Sequence, residues 1–327
     1  MAEIIRAHDN NNLPIIDGTG LLGLTYFNVL RLHAEEETTL AVPGFETVYV
    51  VLSGNCDIQA GNKTFKNIGQ RKDLWSGKAD SVYTGLAPAA VRANVDDTEI
   101  AVAGGRCEAP FDPFRISPEE VDLVEVGSNE TKTRRRIYHI LGHNAAGRAG
   151  NLLVSELYAD EGCWSGYPPH KHDEAQGAEE TPFEEAYYYR FRPETGFGAQ
   201  IVFYPDGASK AFMTRNGDTI LLDRGYHPTV TSPGHDEYIF TILVGKEGRS
   251  LVQFFHEDHR HLMDRFPGVA KMREKFRQPQ KEAHVRHTVR LERKNRPDHR
   301  IEPGSRPDHR QRLRPGRRPN TPEWTGP

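Results

Sequence analysis

Three histidines and a carboxylate carry the strongest chemical signal in the chain. His170 and His172 stand one residue apart in Tyr167-Pro-Pro-His170-Lys171-His172-Asp173. On an extended segment side chains alternate with a period of two, so both imidazoles project to the same side. A pair of acids follows in Glu184-Glu185-Ala186-Tyr187-Tyr188-Tyr189, and a third histidine lies downstream in Arg224-Gly225-Tyr226-His227-Pro228. Three neutral imidazoles and one carboxylate form a mixed nitrogen and oxygen set that zinc, manganese, iron and nickel all accept. A lone His-x-His pair in a loop would carry little weight; the pair joined to a carboxylate and a third histidine predicts a metal site.

Strand phase extends the prediction to neighbours. If Glu185 faces a barrel interior, Tyr187 and Tyr189 face it too, and Ala186 and Tyr188 face the other way. Tyr187 and Tyr189 are then candidates to line a substrate pocket, against the plainer reading of an aromatic strand that packs well. Lys171 and Arg224 flank the ligands and carry the charge to pair with an anionic substrate. Alternation turns Lys171 away from His170 and His172. Proximity alone leaves Tyr187, Glu184, Asp173 and His235 all eligible to carry a proton.

The elements that must position these groups read as strands. Residues 18–107 form a succession of short apolar and β-branched runs, such as Thr47-Val-Tyr-Val-Val-Leu52, with a hairpin signal at Gly61-Asn62. Residues 108–136 are punctuated by Pro110, Pro113 and Pro118 and read as a connector, with Ser117-Pro118-Glu119-Glu120 as a short helix start. From Ile137 the strand pattern resumes, through Leu152–Tyr158, Glu185–Phe191, Ala199–Tyr204, Thr219–Leu222 and Tyr238–Val244. The two blocks are of similar length and predict an all-β tandem of two barrels. We take 1–107 as the first barrel, 108–136 as the connector, 137–271 as the second barrel and 272–327 as a tail. The first barrel contains only His8 and His33, so it has no three-histidine site and is expected to serve structure or assembly.

At this point the chain resembles the cupin superfamily, and in detail the bicupin 5-deoxyglucuronate isomerases of myo-inositol catabolism. The likeness rests on Tyr-Pro-Pro-His-Lys-His-Asp (167–173), Glu-Glu-Ala-Tyr-Tyr-Tyr (184–189), Gly196-Phe197, Gln200, Gly-Tyr-His-Pro (225–228) and Ser-Pro-Gly (232–234), and runs roughly over residues 18–262. The resemblance implies tandem double-stranded β-helix barrels and a divalent metal, zinc or manganese first and iron next, on His170, His172, Glu185 and His227, with Glu184 as the rival carboxylate. It implies conversion of 5-deoxy-glucuronate to 5-dehydro-2-deoxy-gluconate through a metal-stabilised enediolate. Tyr187 and Glu184 are the catalytic candidates, and Tyr189, Gln200 and Arg224 the substrate-binding ones. The sequence departs from the general cupin pattern in the twelve residues 173–184 between His172 and Glu185, and in Asp223 where Pro usually stands. A cupin dioxygenase or decarboxylase, or a non-catalytic sugar-binding cupin, would use the same ligand set.

Composition bounds the rest. Three scattered cysteines exclude a disulfide framework or a cysteine-based zinc site. No apolar run approaches the roughly 18 residues of a membrane helix, and the first residues lack a signal-peptide core, so a cytoplasmic protein without a membrane partner is expected, and the resemblance implies a homo-oligomer acting on a small sugar acid. The net charge of -4 hides an asymmetry: residues 272–327 carry 16 Lys and Arg against 7 Asp and Glu, the preceding residues 26 against 39. The tail repeats Arg296-Pro-Asp-His-Arg300 as Arg306-Pro-Asp-His-Arg310 and is nearly devoid of apolar residues, which predicts disorder. No base-reading motif accompanies its charge, so nucleic acid is not an expected partner. His256, His259 and His261 are expected in a solvated segment.

Overall fold

Strands buried on both faces give the molecule its plan. In Phe45–Ser53, Tyr49 and Val51 pack with Ile58 and Val91 between two sheets, while Val48, Val50 and Leu52 point the other way into a second core. The β-branched and aromatic run predicted over 47–52 suits this position, because each pleat face meets an apolar neighbour. The strand Phe183–Arg192 is built alike: Tyr187, Tyr189 and Phe191 face one core, Ala186 and Tyr188 the other.

The computed structural model describes residues 2–277, and the tail expected to be disordered lies, from residue 278 on, outside them. In the first half a six-stranded antiparallel sheet, ordered Phe114–Ile116, Ser81–Gly85, Phe45–Ser53, Thr98–Arg106, Thr25–Leu32 and Ile16–Asp17, faces a four-stranded sheet running from Glu37–Leu40 to Lys63–Ile68. In the second half a seven-stranded sheet is ordered Ala2–Ile5, Thr219–Leu222, Phe183–Arg192, Asp236–Gly245, Leu152–Ala159, Arg135–Leu141 and Asp122–Val126. It faces a four-stranded sheet of Trp164–Ser165, Thr229–Thr231, Phe197–Phe203 and Ser209–Arg215. The two large sheets pack back to back through Phe27, Tyr188 and Phe240, with Phe27 5.3 Å from Tyr188 and 5.9 Å from Phe240, ring to ring.

Three buried carboxylates stitch the halves together. Glu46 accepts hydrogen bonds from Tyr83 Oη, Gly150 N and Leu152 N at 2.6–2.9 Å. Glu156 holds both guanidinium nitrogens of Arg71, at 2.5 and 3.0 Å, and the Tyr238 hydroxyl at 3.0 Å. Glu184 accepts from Leu24 N and Thr25 Oγ1. Each satisfies polar groups that would otherwise be stranded in an apolar seam.

The strands cross the boundaries read from the sequence. Ala2–Ile5 pairs with Thr219–Leu222, so the first residues complete the second half's sheet rather than the first. Within the connector, Phe114–Ile116 extends the first half's sheet and Asp122–Val126 the second's. Ser117 starts only a single 3-10 turn, Pro118–Glu120, with Glu120 accepting from Ser117 N at 2.9 Å. The helix Val269–Arg277 also overruns the boundary at 271, since buried Val269 and Met272 pack on Val124, Val126 and Phe255.

Candidate metal centre

His170 lies on the short strand His170–Lys171, paired with Phe254–Phe255. Its Nδ1 lies 3.2 Å from Pro168 O, and His227 Nδ1 lies 2.8 Å from Gly225 O. A backbone carbonyl only accepts, so each Nδ1 is assigned the proton and each Nε2 keeps a lone pair. The rings of His170, His172 and His227 stand 5.0–6.2 Å apart, centroid to centroid. One ligand nitrogen from each falls within 4.8 Å of the others, and all three residues are buried.

Glu185 completes the group. Its Oε2 lies 2.9 Å from His172 Nε2 and 3.1 Å from His227 Nε2. Burial works to raise its pKa, but the imidazoles of His172 and His227 hold it well below the usual carboxylate range. His170 is driven the opposite way: burial and the nearby His227 and His172 push its pKa well below the ordinary value, which keeps it neutral. Burial works to lower the pKa of His227, but the Glu185 carboxylate pushes it above the ordinary value, so a shared proton stands where a cation would satisfy the same oxygen and nitrogens. The donor set therefore fits a divalent metal, with His170, His172, His227 and Glu185 as the residues that would hold it. Among the described residues no second cluster of this kind forms. His256 instead meets Tyr226 edge-on, 4.7 Å between centroids, and His259 at 5.3 Å, and is half-buried, while His261 is exposed.

A second layer fixes the ligands. Gln200, fully buried, donates from Nε2 to His227 O at 2.8 Å and Pro228 O at 3.1 Å, and its Oε1 accepts from Tyr189 Oη at 2.7 Å. Asp173 Oδ2 accepts from Gly225 N at 2.6 Å, two residues before His227. Lys171, turned from the site as alternation requires, is ringed by Asp173, Glu174 and Glu180 at 2.6–3.4 Å. Glu180 is fully buried and also accepts from the amides of Asp173 and Glu174, so the acidic insertion is anchored on Lys171 rather than being a freely solvated loop.

The other candidates named from sequence differ in how they stand to the cluster. Glu184, one residue out of phase with Glu185, sends its carboxylate to the opposite face and to Leu24 and Thr25, where it touches no reacting group. Tyr189 and Gln200 are sealed from solvent and spend their polar atoms behind His227, so they brace the ligand instead of lining a pocket. Arg224 is exposed, its guanidinium lies 5.1 Å over the Tyr204 ring, and it borders the small cavity lined by His172 and His227. His235 is tied to Ser232 and Pro233, away from the cluster. Tyr187 does reach it, with its ring 6.2 Å from that of His227.

The model of the KduI/IolB family matches residues 5–262. The chain belongs to that family. A 5-deoxy-glucuronate isomerase of Lacticaseibacillus casei is 32% identical over 247 residues, covering 74% of this chain and 88% of the relative. Another, from Bacillus subtilis strain 168, is 32% identical over 226 residues, covering 68% and 82%. The crystal structure of an IolB-like protein from Salmonella typhimurium LT2 superposes with a TM-score of 0.69 at 32% identity, over 73% of this chain and 90% of that one. An oxalate decarboxylase of Bacillus subtilis, at 12% identity and a TM-score of 0.51 over 71% of each chain, shares the fold: tandem cupin barrels.

Two residues of this KduI/IolB site had no signal in the sequence. Gln253 places its Nε2 3.0 Å from His170 Nε2, from a segment 83 residues away and without a motif. Arg135 is the inward-facing member of Arg134-Arg135-Arg136, donating to Thr133 O and to Tyr167 O beside the His170 strand. Strand alternation could have turned it inward, but residue type alone predicts an exposed side chain.

Proposed function

We propose that this protein is a divalent-metal-dependent isomerase that converts 5-deoxy-glucuronate to 5-dehydro-2-deoxy-gluconate. The observation that carries this reading is the buried cluster of His170, His172, His227 and Glu185 in a chain whose curated family relatives are 5-deoxy-glucuronate isomerases. Zinc and manganese suit the ligand set best, with iron next.

The reaction moves hydrogen within one molecule: a proton leaves C2 and one is delivered to C1, while the C2 hydroxyl gives up its proton and O1 gains one, so the aldehyde becomes a hydroxymethyl group and the C2 alcohol a ketone. No external oxidant enters the balance. A divalent cation, when bound, supplies Lewis-acid polarisation of the C1 and C2 oxygens. His170, His172, His227 and Glu185 fix where those oxygens sit. Tyr187 stands beside them with its pKa held well above the ordinary phenol value by burial and by the Glu185 carboxylate, so it acts as a proton or hydrogen-bond donor toward a substrate oxygen. Phe183 and Phe255, whose rings lie 6.2 Å from that of His172 and 5.3 Å from that of His170, exclude water from the wall behind the imidazoles.

Proton NMR of 5-deoxy-glucuronate with the purified enzyme under anaerobic conditions tests the assignment. Appearance of the 2-deoxy-5-keto acid without oxygen supports it. A strict oxygen requirement would favour dioxygenase chemistry, and saturable binding with no product would favour a sugar-binding role.

A further inference from the structure

Of the buried arginines Arg71, Arg135 and Arg249, Arg135 has the fewest acceptors for its guanidinium. Arg71 is held by both oxygens of Glu156. Arg249 spreads its guanidinium over the carbonyls of Leu141, Gly142, Gly150 and Leu152. Arg135 is 2% exposed, yet it meets only two carbonyls, Thr133 O at 3.1 Å and Tyr167 O at 2.8 Å, and no carboxylate pairs with it among the described residues. Burial lowers its pKa to about 10, which still leaves it cationic at neutral pH. Glu237 stands on the same inward row, with Ala159 between them, but neither of its oxygens makes a hydrogen bond and the two side chains are not paired. A buried cation kept without a counter-ion is costly, and an anion supplied from outside would offset that cost.

Its position says which anion. The Tyr167 carbonyl that Arg135 holds precedes the Pro168 carbonyl that takes His170 Nδ1, so guanidinium and metal ligands border one turn of backbone. Tyr187 is near enough to Arg135 for their charges to interact, and its ring is 6.2 Å from that of His227. The metal ligands would hold the aldehyde and hydroxyl oxygens of a substrate, and Arg135, behind the same turn, presents a guanidinium with no carboxylate partner. We propose that Arg135 binds the terminal carboxylate of the substrate and so makes the site specific for uronic-type sugar acids over neutral aldoses. This rests on the isomerase reading. A planar fork of N–H donors in a dry interior suits a carboxylate better than a hydroxyl.

The test compares wild type, R135M and R135K on 5-deoxy-glucuronate and on the same sugar with its carboxylate reduced to an alcohol, with metal content and urea midpoint measured on each protein. R135M is expected to lose about a hundredfold in kcat/KM on the acid and less than about threefold on the neutral sugar. It is expected to keep its metal and its urea midpoint, because an unpaired buried charge is replaced by an apolar chain of similar length. R135K, which keeps the charge but not the fork, is expected to fall in between on the acid alone. An equal loss on both sugars, or loss of metal, would show that Arg135 only braces the Tyr167 turn and overturns the proposal. If R135M does not fold, R135K decides: a loss at least tenfold greater on the acid supports the proposal, and an equal loss overturns it. A wild type that turns over neither sugar overturns the isomerase reading instead, and binding of glucuronate against glucose to wild type and R135K then reads Arg135 separately.

Discussion

Replacing Gln200 by leucine separates a residue that braces a ligand from one that touches substrate. The side chain is fully buried and donates to His227 O at 2.8 Å and Pro228 O at 3.1 Å. Pro228 O keeps a second partner, Ile201 N at 2.9 Å, and Tyr189 Oη retains Thr229 Oγ1 only at 3.5 Å. The change therefore strands mainly the His227 carbonyl and the Tyr189 hydroxyl. At roughly 1–3 kcal/mol for each buried polar group left unsatisfied, less what relaxation recovers, Q200L should cost about 2–4 kcal/mol of stability. Part of that strain falls on the His227 main chain, so metal affinity should drop about 10- to 100-fold, as for other groups that orient metal ligands. Urea unfolding gives the first number, and titration of the metal-free enzyme with zinc or manganese gives the second. At saturating metal, KM should stay within about threefold of wild type, well under the tenfold that 1.4 kcal/mol represents. A KM raised tenfold or more with metal affinity intact would refute this reasoning and return Gln200 to the substrate pocket.

Other outcomes follow from the same geometry. Removing one partner of the buried Arg71–Glu156 pair, as in E156L, should destabilise by about 3–5 kcal/mol, and the double change R71M with E156L should restore most of it, read from urea midpoints. H172A should lose bound metal in elemental analysis and turnover with it, while folding is retained by circular dichroism. Glu237, pushed by burial from 4.5 up to about 8, retains in the native state a proton that the unfolded chain gives up above 4.5. Its contribution is therefore complete below pH 4.5 and declines up to pH 8, by at most about 1.4 kcal/mol per pH unit. Urea midpoints from pH 5 to 8.5 should show this slope in wild type and a flatter one in E237Q; equal slopes would count against it.

What the sequence disclosed and what it hid divide along the range of the interactions. His170 and His172 were legible because alternation is a local rule, and the same rule placed Glu185, Tyr187 and Tyr189 on one face and Ala186 and Tyr188 on the other. It could not say what each face meets. Glu184 looks as able as Glu185 until the first half of the chain supplies Leu24 N and Thr25 Oγ1 to its carboxylate, across 160 and 159 positions. Tyr189 shares its inward face with Tyr187, yet two residues along the strand take it out of the open site and into the packing behind His227. The domain boundaries misplaced Ala2–Ile5 for a related reason: a four-residue run with two isoleucines reads the same whichever sheet it completes. Gln253 and Arg135 approach the His170 segment from stretches with no motif of their own, one just before the C-terminal strand that pairs with His170–Lys171 and the other on an arginine-rich strand that reads as surface.

The claim on which the rest depends is that the His170, His172, His227 and Glu185 cluster holds a metal and that isomerisation happens there. One sample answers both parts: purified enzyme in deuterium oxide, followed anaerobically on 5-deoxy-glucuronate, with metal content measured before chelation, after it and after add-back. We predict one metal per chain, turnover that disappears with the metal and returns with it, and a 2-deoxy-5-keto acid as product. Full turnover by enzyme stripped of metal would contradict the account.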